Sequence, residues 1–307
     1  MENKASLNDS STVTILENTP RNYLTTLIKT IVVLLLLSSY IGVWSYQFWI
    51  STKSNQPNSG SLLKNDTQIV DGSLEIDIEK GFYRIDDYSV YIIWDYEKSG
   101  SVKPFEEYTA ERIQFTPVKP AEIERSVYLV KEFLKSYEPE FIQKEIFTIF
   151  LLDSLTLDGV DAGGTSQYSS LFIVNKGSAQ NYTNTFIIET LHHELAHTLY
   201  SRYYDMFPTD EWRNANFPEF TYGEWGGDAI KAGNASNEMD VEFFRQGFLN
   251  SYSVSAIEED IAEMYSLLMT NPSYVNYLTV YYPRLGEKFD LLKGFLVEVD
   301  WSYTELY

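Results

Sequence analysis

Apolar and polar positions divide this chain into stretches of different character. Ile31 to Ile50 is an almost unbroken apolar run inside a charge-free window, Thr30 to Thr52, and as an α-helix twenty such residues cross a bilayer. Tyr40, Trp44, Tyr46, Phe48 and Trp49 crowd its C-terminal half, where amphipathic rings settle at a lipid boundary. The pattern predicts an uncleaved signal anchor. Polar, unperiodic text rich in Ser, Asn, Gly and Gln follows from Ser51 to about Asp71 and reads as a spacer. From Phe82 onward periodicity takes over. Tyr88 to Trp94 is β-branched and aromatic, as are Ile146 to Leu152 and Leu171 to Val174, which predicts three strands. Ala121 to Tyr137 repeats Ile123, Val127, Val130, Phe133 and Leu134 at helical spacing. The stretch Asp158 to Thr165 supplies the glycines of a turn. After the capping residues of Asn181 to Asn184, Phe186, Ile187, Leu191, Leu195 and Leu199 predict a buried helix. Ser255 and Glu258 match a capping box, opening another helix whose core face is Ile257, Ile261, Met264, Tyr265 and Leu268. The expected organisation is a tail over 1–29, a transmembrane segment over 30–50, a spacer over 51–81 and an α+β domain over 82–307.

Charge assigns sides and excludes partners. Asp and Glu number 44 against 23 Lys and Arg, a net charge of −21. Residues 1–50 hold three of each sign, so the whole excess belongs to 51–307. No basic stripe offsets it, which argues against nucleic-acid binding. Arg21 and Lys29 flank the apolar run closely on its N-terminal side, so the expected arrangement is a single-pass membrane protein with a cytoplasmic tail and the acidic domain outside. Such a domain would favour neutral or basic partners. The chain contains no cysteine, which removes disulfides, thiolate metal sites and a cysteine nucleophile.

All three histidines of the chain lie in His192-His-Glu-Leu-Ala-His197. His193 and His197, four residues apart on a helix, stand one above the other, so both imidazoles reach one Zn²⁺. Glu194, about 100° around the helix, can reach a water at that ion and act as general base. His192 has Ala196 at its own i+4 position and is expected to pack. With no further histidine and no cysteine, the third ligand is a carboxylate or the site is incomplete. Glu259 and Glu263 stack on one helix face beside the small Ala262. Glu259 is the expected ligand, and Glu263 the acceptor of a ligating histidine's spare N–H. A solvated acidic helix face is the bland alternative for that pair.

His193-Glu-x-x-His197 followed by Glu259-Asp-x-Ala-Glu263 resembles the gluzincin metallopeptidases, and most closely a family of putative zinc-binding metallopeptidases of bacterial surfaces. Gly247 to Glu263, the Tyr88 to Trp94 strand and the Thr116-Pro-Val-Lys-Pro120 approach to a helix are similar to that family too. The resemblance implies a zincin-like domain: a small mixed sheet, an active-site helix and a helical C-terminal half. It also implies hydrolysis of a peptide or protein substrate, bound as an added strand on an edge expected at Ser169 to Val174. More distantly the chain resembles the catalytic domain of anthrax lethal factor and the Pro-Pro endopeptidases. There a tyrosine seven residues before the glutamate ligand helps to stabilise the oxyanion, and Tyr252 stands at that spacing from Glu259. The rival class is a surface binding protein that keeps fold and metal without turnover. Asp210 to Tyr222 is aromatic enough either to line a pocket or simply to pack.

Overall fold

The computed structural model describes residues 75–101, 103–106, 112–223 and 236–305. The expected transmembrane segment at 30–50 lies outside these residues; among the described residues no helix is long and apolar enough to cross a membrane. Within the stretch read as spacer, residues 75–81 are folded. Asp77 caps a 3₁₀ turn over Ile78–Lys80, and the Trp94 indole donates to the Ile78 carbonyl at 3.0 Å.

Seven strands form one mixed sheet among the described residues: β1 (Phe82–Ile85), β2 (Val90–Ile93), β3 (Ile113–Pro117), β4 (Thr148–Leu157), β5 (Val160–Asp161), β6 (Gly164–Gln167) and β7 (Ser170–Val174). The spatial order is β1-β2-β4-β7-β6, with β3 and β5 paired to β4. β4 runs parallel to β2, Ile149 opposite Ile92, and parallel to β7, Ile149 opposite Leu171. Alternation along these strands sends Ile92, Ile149, Leu151, Leu171 and Ile173 into a core shared with the helices. Their neighbours Ile93, Phe150, Leu152, Phe172 and Val174 pack on the opposite face with Phe105. A strand covered on both faces must be apolar at nearly every position, which is why Ile149 to Leu152 is a continuous run.

Two features depart from the sequence reading. β4 continues to Leu157 and turns through Asp158 and Gly159, whose φ angles of 47° and 83° suit a tight hairpin turn. The chain then makes β5 and begins β6 inside the stretch expected to be a turn. The edge of the sheet is therefore β6, and Ser169 to Val174, expected at the edge, is an interior strand between β4 and β6. β6 carries no hydrophobic alternation because it is short, polar and half-buried throughout, as protected edge strands commonly are.

Among the described residues the helices are α1 (Tyr96–Ser99), α2 (Pro120–Leu134), α3 (Pro139–Glu145), α4 (Asn184–Arg202), α5 (Thr209–Asn214), α6 (Val241–Gln246), α7 (Ile257–Thr270), α8 (Pro272–Tyr281) and α9 (Pro283–Val299). At the start of α4 the Thr183 hydroxyl accepts from the Phe186 N–H, inside the expected capping segment. Ile187, Leu191, Leu195 and Leu199 are buried along one side of α4, each contributing on the order of 1.5–3 kcal/mol. α7 packs on α4, its Ala262 fully buried, and Ser266 pins the pair by donating to the Glu189 carbonyl at 2.9 Å. The expected Ser255 cap does not form: Ala256 occupies the cap position, and the Ser255 hydroxyl donates instead to the Tyr252 carbonyl at 2.6 Å. That bond ties the start of α7 to the turn that carries Tyr252.

Candidate metal centre

His193 and His197 project from the same side of α4, their Nε2 atoms 3.0 Å apart. α7 brings Glu259 Oε2 to 3.2 Å from the first and 3.4 Å from the second. Three donors around an ion at 2.0–2.1 Å in tetrahedral geometry stand about 3.3–3.4 Å from one another, so this triangle fits zinc. The donor set of two imidazoles and one carboxylate suits zinc chemically. A further observation favours a cation: Glu259 Oε2 is buried and receives no aligned hydrogen bond, a costly state for a carboxylate unless a positive charge meets it.

The electrostatics agree. Burial opposes ionisation of Glu259, but the two imidazoles outweigh it and hold its carboxyl far below the usual range. For His193, burial alone would lower the pKa, yet the carboxylates of Glu259 and Glu263 raise it well above the ordinary value. His197 shifts upward too, the carboxylates of Glu259 and Glu194 outweighing its burial. This knot of negative charge and lone pairs draws a cation, proton or metal, into one small volume.

Around the triangle the shell is built in depth. Glu263 Oε1 lies 3.1 Å from His193 Nδ1, which fixes the tautomer that leaves Nε2 free to ligate. The other Glu263 oxygen accepts from the Asn250 side chain at 2.6 Å, and Asn250 Oδ1 in turn accepts from the Ser253 amide and hydroxyl. Replacing Glu263 with Ala should therefore weaken zinc about 10–100-fold, measured by competition with a metal chelator of known affinity.

Next to Glu259, Asp260 points the other way. Its Oδ2 meets Lys288 Nζ at 2.6 Å, Tyr222 Oη at 2.6 Å and Trp212 Nε1 at 3.0 Å. Lys288 also donates to the Gly247 carbonyl. Asp260, Lys288 and Trp212 are all completely buried. The Asp210 to Tyr222 segment thus packs behind the centre. His192 is also buried; its Nδ1 lies 2.5 Å from the Tyr137 hydroxyl, its ring meets Phe133 edge-on, and burial pulls its pKa down to about 3. It packs, as its sequence position suggests.

Glu194 is buried beside the imidazoles, and burial raises its carboxyl pKa while His197 and His193 pull the other way. Tyr252 stacks at 6.3 Å on the His193 ring. Its hydroxyl faces Glu259, and burial together with that charge pushes its pKa above the ordinary range, so it stays a hydrogen-bond donor.

These groups open onto a cleft along β6. The Val174 N–H donates to the Gly163 carbonyl, which sets the antiparallel phase: Thr165 and Gln167 bond toward β7, and Gly164 and Ser166 turn their N–H and C=O groups to the open edge. A chamber of about 360 Å³ lies at the N-terminal end of β6. A second, about 770 Å³, lies toward its C-terminal end. His193, Glu194 and Tyr252 line both. Gly164 lets the strand approach this closely: a Cβ there would stand 2.9 Å from the Phe172 carbonyl oxygen and 3.0 Å from Glu194 Oε1. Gly164→Ala should displace either the strand or the carboxylate and lower any turnover at this centre on the order of 100-fold, read as the rate of the variant against the unaltered chain at equal zinc content.

All six residues selected from the sequence, His193, Glu194, His197, Tyr252, Glu259 and Glu263, meet at this one place. Asn250, Gly164 and the Asp260–Lys288 pair were not anticipated. Asn250 sits inside the Gly247 to Glu263 stretch, whereas Lys288 carries no local signal. Residues 125–282, just over half of the 307-residue chain, match the family profile described as "Putative zinc-binding metallo-peptidase". The matched segment contains both metal motifs. Comparison with curated proteins and with solved structures gives no match.

Proposed function

We propose that this chain, which belongs to the putative zinc-binding metallo-peptidase family, hydrolyses peptide bonds with His193, His197 and Glu259 as zinc ligands and Glu194 as general base. The observation that carries the reading is the convergence of three ligand atoms within 4.8 Å of one another, beside a buried carboxylate that is not one of them.

Zinc held there supplies a Lewis acid that makes water nucleophilic near neutral pH. Glu194 takes the proton of the attacking water, and its raised pKa makes it the stronger base for that step. The Tyr252 hydroxyl donates to the oxygen that becomes negative as the carbonyl is attacked. Glu194 then returns the proton to the leaving amine. Gly164 and Ser166 hold the substrate backbone by extending the sheet at β6. Glu263 and Asn250 hold His193 in its ligating orientation.

In this reading the acidic domain stands outside the cytoplasm on a single-pass anchor at 30–50, and its partners are peptides or proteins. The support is the charge distribution and apolar pattern of the N-terminal region. A proteome-derived peptide library incubated with the full chain should be cleaved, cleavage should stop on chelation, and zinc should restore it. A library left intact under all three conditions would overturn the reading.

A further inference from the structure

The smaller chamber of the cleft is built around a carboxylate that catalysis does not use. Glu189 lies one helical turn before His193 on α4 and lines the chamber, so it shares the face of the ligands. Glu263 in the same wall is engaged by His193 and Asn250, and Glu194 is the base. The Glu189 carboxylate meets no hydrogen-bond donor and no cation among the described residues; its burial and the charge of Glu263 push its pKa up to about 7. Among the described residues no Lys or Arg lines the chamber, and Phe186, Leu249, Leu267 and Met239 supply part of its wall. Apolar wall and an unpaired carboxylate in one chamber complement a side chain with an aliphatic stem and a cationic head. The larger chamber differs in carrying Arg202.

Position along the edge gives the subsite its place. Antiparallel pairing is the stronger and commoner way to extend a sheet. A peptide added antiparallel to β6 puts the residues C-terminal to the scissile bond at the strand's N-terminal end, where the smaller chamber lies. We propose that Glu189 makes this chamber a specificity subsite for a Lys or Arg side chain immediately C-terminal to the cleaved bond. This deepens the peptidase reading and rests on it.

Two measurements on the zinc-loaded full chain test it. In library cleavage, Lys and Arg should be enriched at the position after the cut at least about tenfold over norleucine-like side chains. Glu189→Gln should bring that ratio near one, and Glu189→Asp, which keeps the charge, should retain a severalfold preference. A ratio near one in the unaltered chain, a ratio untouched by Glu189→Gln, or enrichment before the cut instead of after it would overturn the proposal. Independently of turnover, Nα-phosphoryl-lysine amide, in which the phosphoryl group stands for the attacked carbonyl and lysine follows it, should bind at least about tenfold more tightly than its norleucine counterpart by calorimetry, with the difference lost in Glu189→Gln. Equal binding would overturn the subsite. A lysine preference in binding, with no peptide cleaved, would sink the peptidase reading and leave the cation subsite standing.

Discussion

Glu194→Gln should retain one zinc per chain and lose about 10³-fold or more in kcat. Gln has nearly the shape of Glu, so the packing of α4 against β6 survives, including the close approach at Gly164. The three converging ligand atoms belong to His193, His197 and Glu259, so the metal keeps its shell. What disappears is a carboxylate able to take a proton and give it back. KM should change little, because an amide at this position still fills the same volume beside the substrate backbone. Metal analysis beside steady-state kinetics separates the outcomes. Loss of zinc would make Glu194 a structural or ligating residue, and full activity would remove it from the mechanism.

Glu259→Ala should have the opposite signature: zinc content falls far below stoichiometric and activity goes with it. The carboxylate lies 3.2 and 3.4 Å from the two Nε2 atoms, and among the described residues no other His, Cys, Asp or Glu completes a group able to hold an ion. Loss of an outer partner typically weakens metal about 10–100-fold, and loss of a direct ligand should exceed that range. Chelator competition measures the affinity. Stoichiometric zinc at unchanged affinity in Glu259→Ala would show that the third ligand lies elsewhere.

Much of this centre is legible in the sequence because its chemistry is concentrated in two short helical segments. A spacing of four fixes His193 and His197 relative to one another whatever the fold does. The absence of cysteine and of other histidines turns the search for a third ligand into a choice among carboxylates. Glu259 and Glu263 stand out because α7 must bury Ile261, Met264 and Tyr265, which leaves the acids on the face toward α4. The features that escaped depend on tertiary contacts. β6 is an edge strand with polar residues on both faces, so hydrophobic periodicity has nothing to report there. Ser255 satisfies the Tyr252 carbonyl in place of the helix end, a choice made by the turn rather than by local propensity. Asp260 and Lys288 are 28 positions apart and meet only because α9 packs behind α7. A buried lysine also defies the expectation that charge marks a solvated surface. Glu189 falls between: its place four residues before His193 put it on the ligand face from the start, but only the shape of the cleft makes it a wall of the substrate chamber.

The most direct test is a zinc titration of the metal-stripped full chain with peptide hydrolysis followed at each addition. The rate should rise in proportion to zinc and break sharply at one equivalent, with hydrolysis in Glu194→Gln about 10³-fold slower or more at the same occupancy. Hydrolysis that is already complete without metal, or one zinc bound per chain with no peptide cleaved at any occupancy, would contradict a zinc peptidase centred on His193, His197 and Glu259.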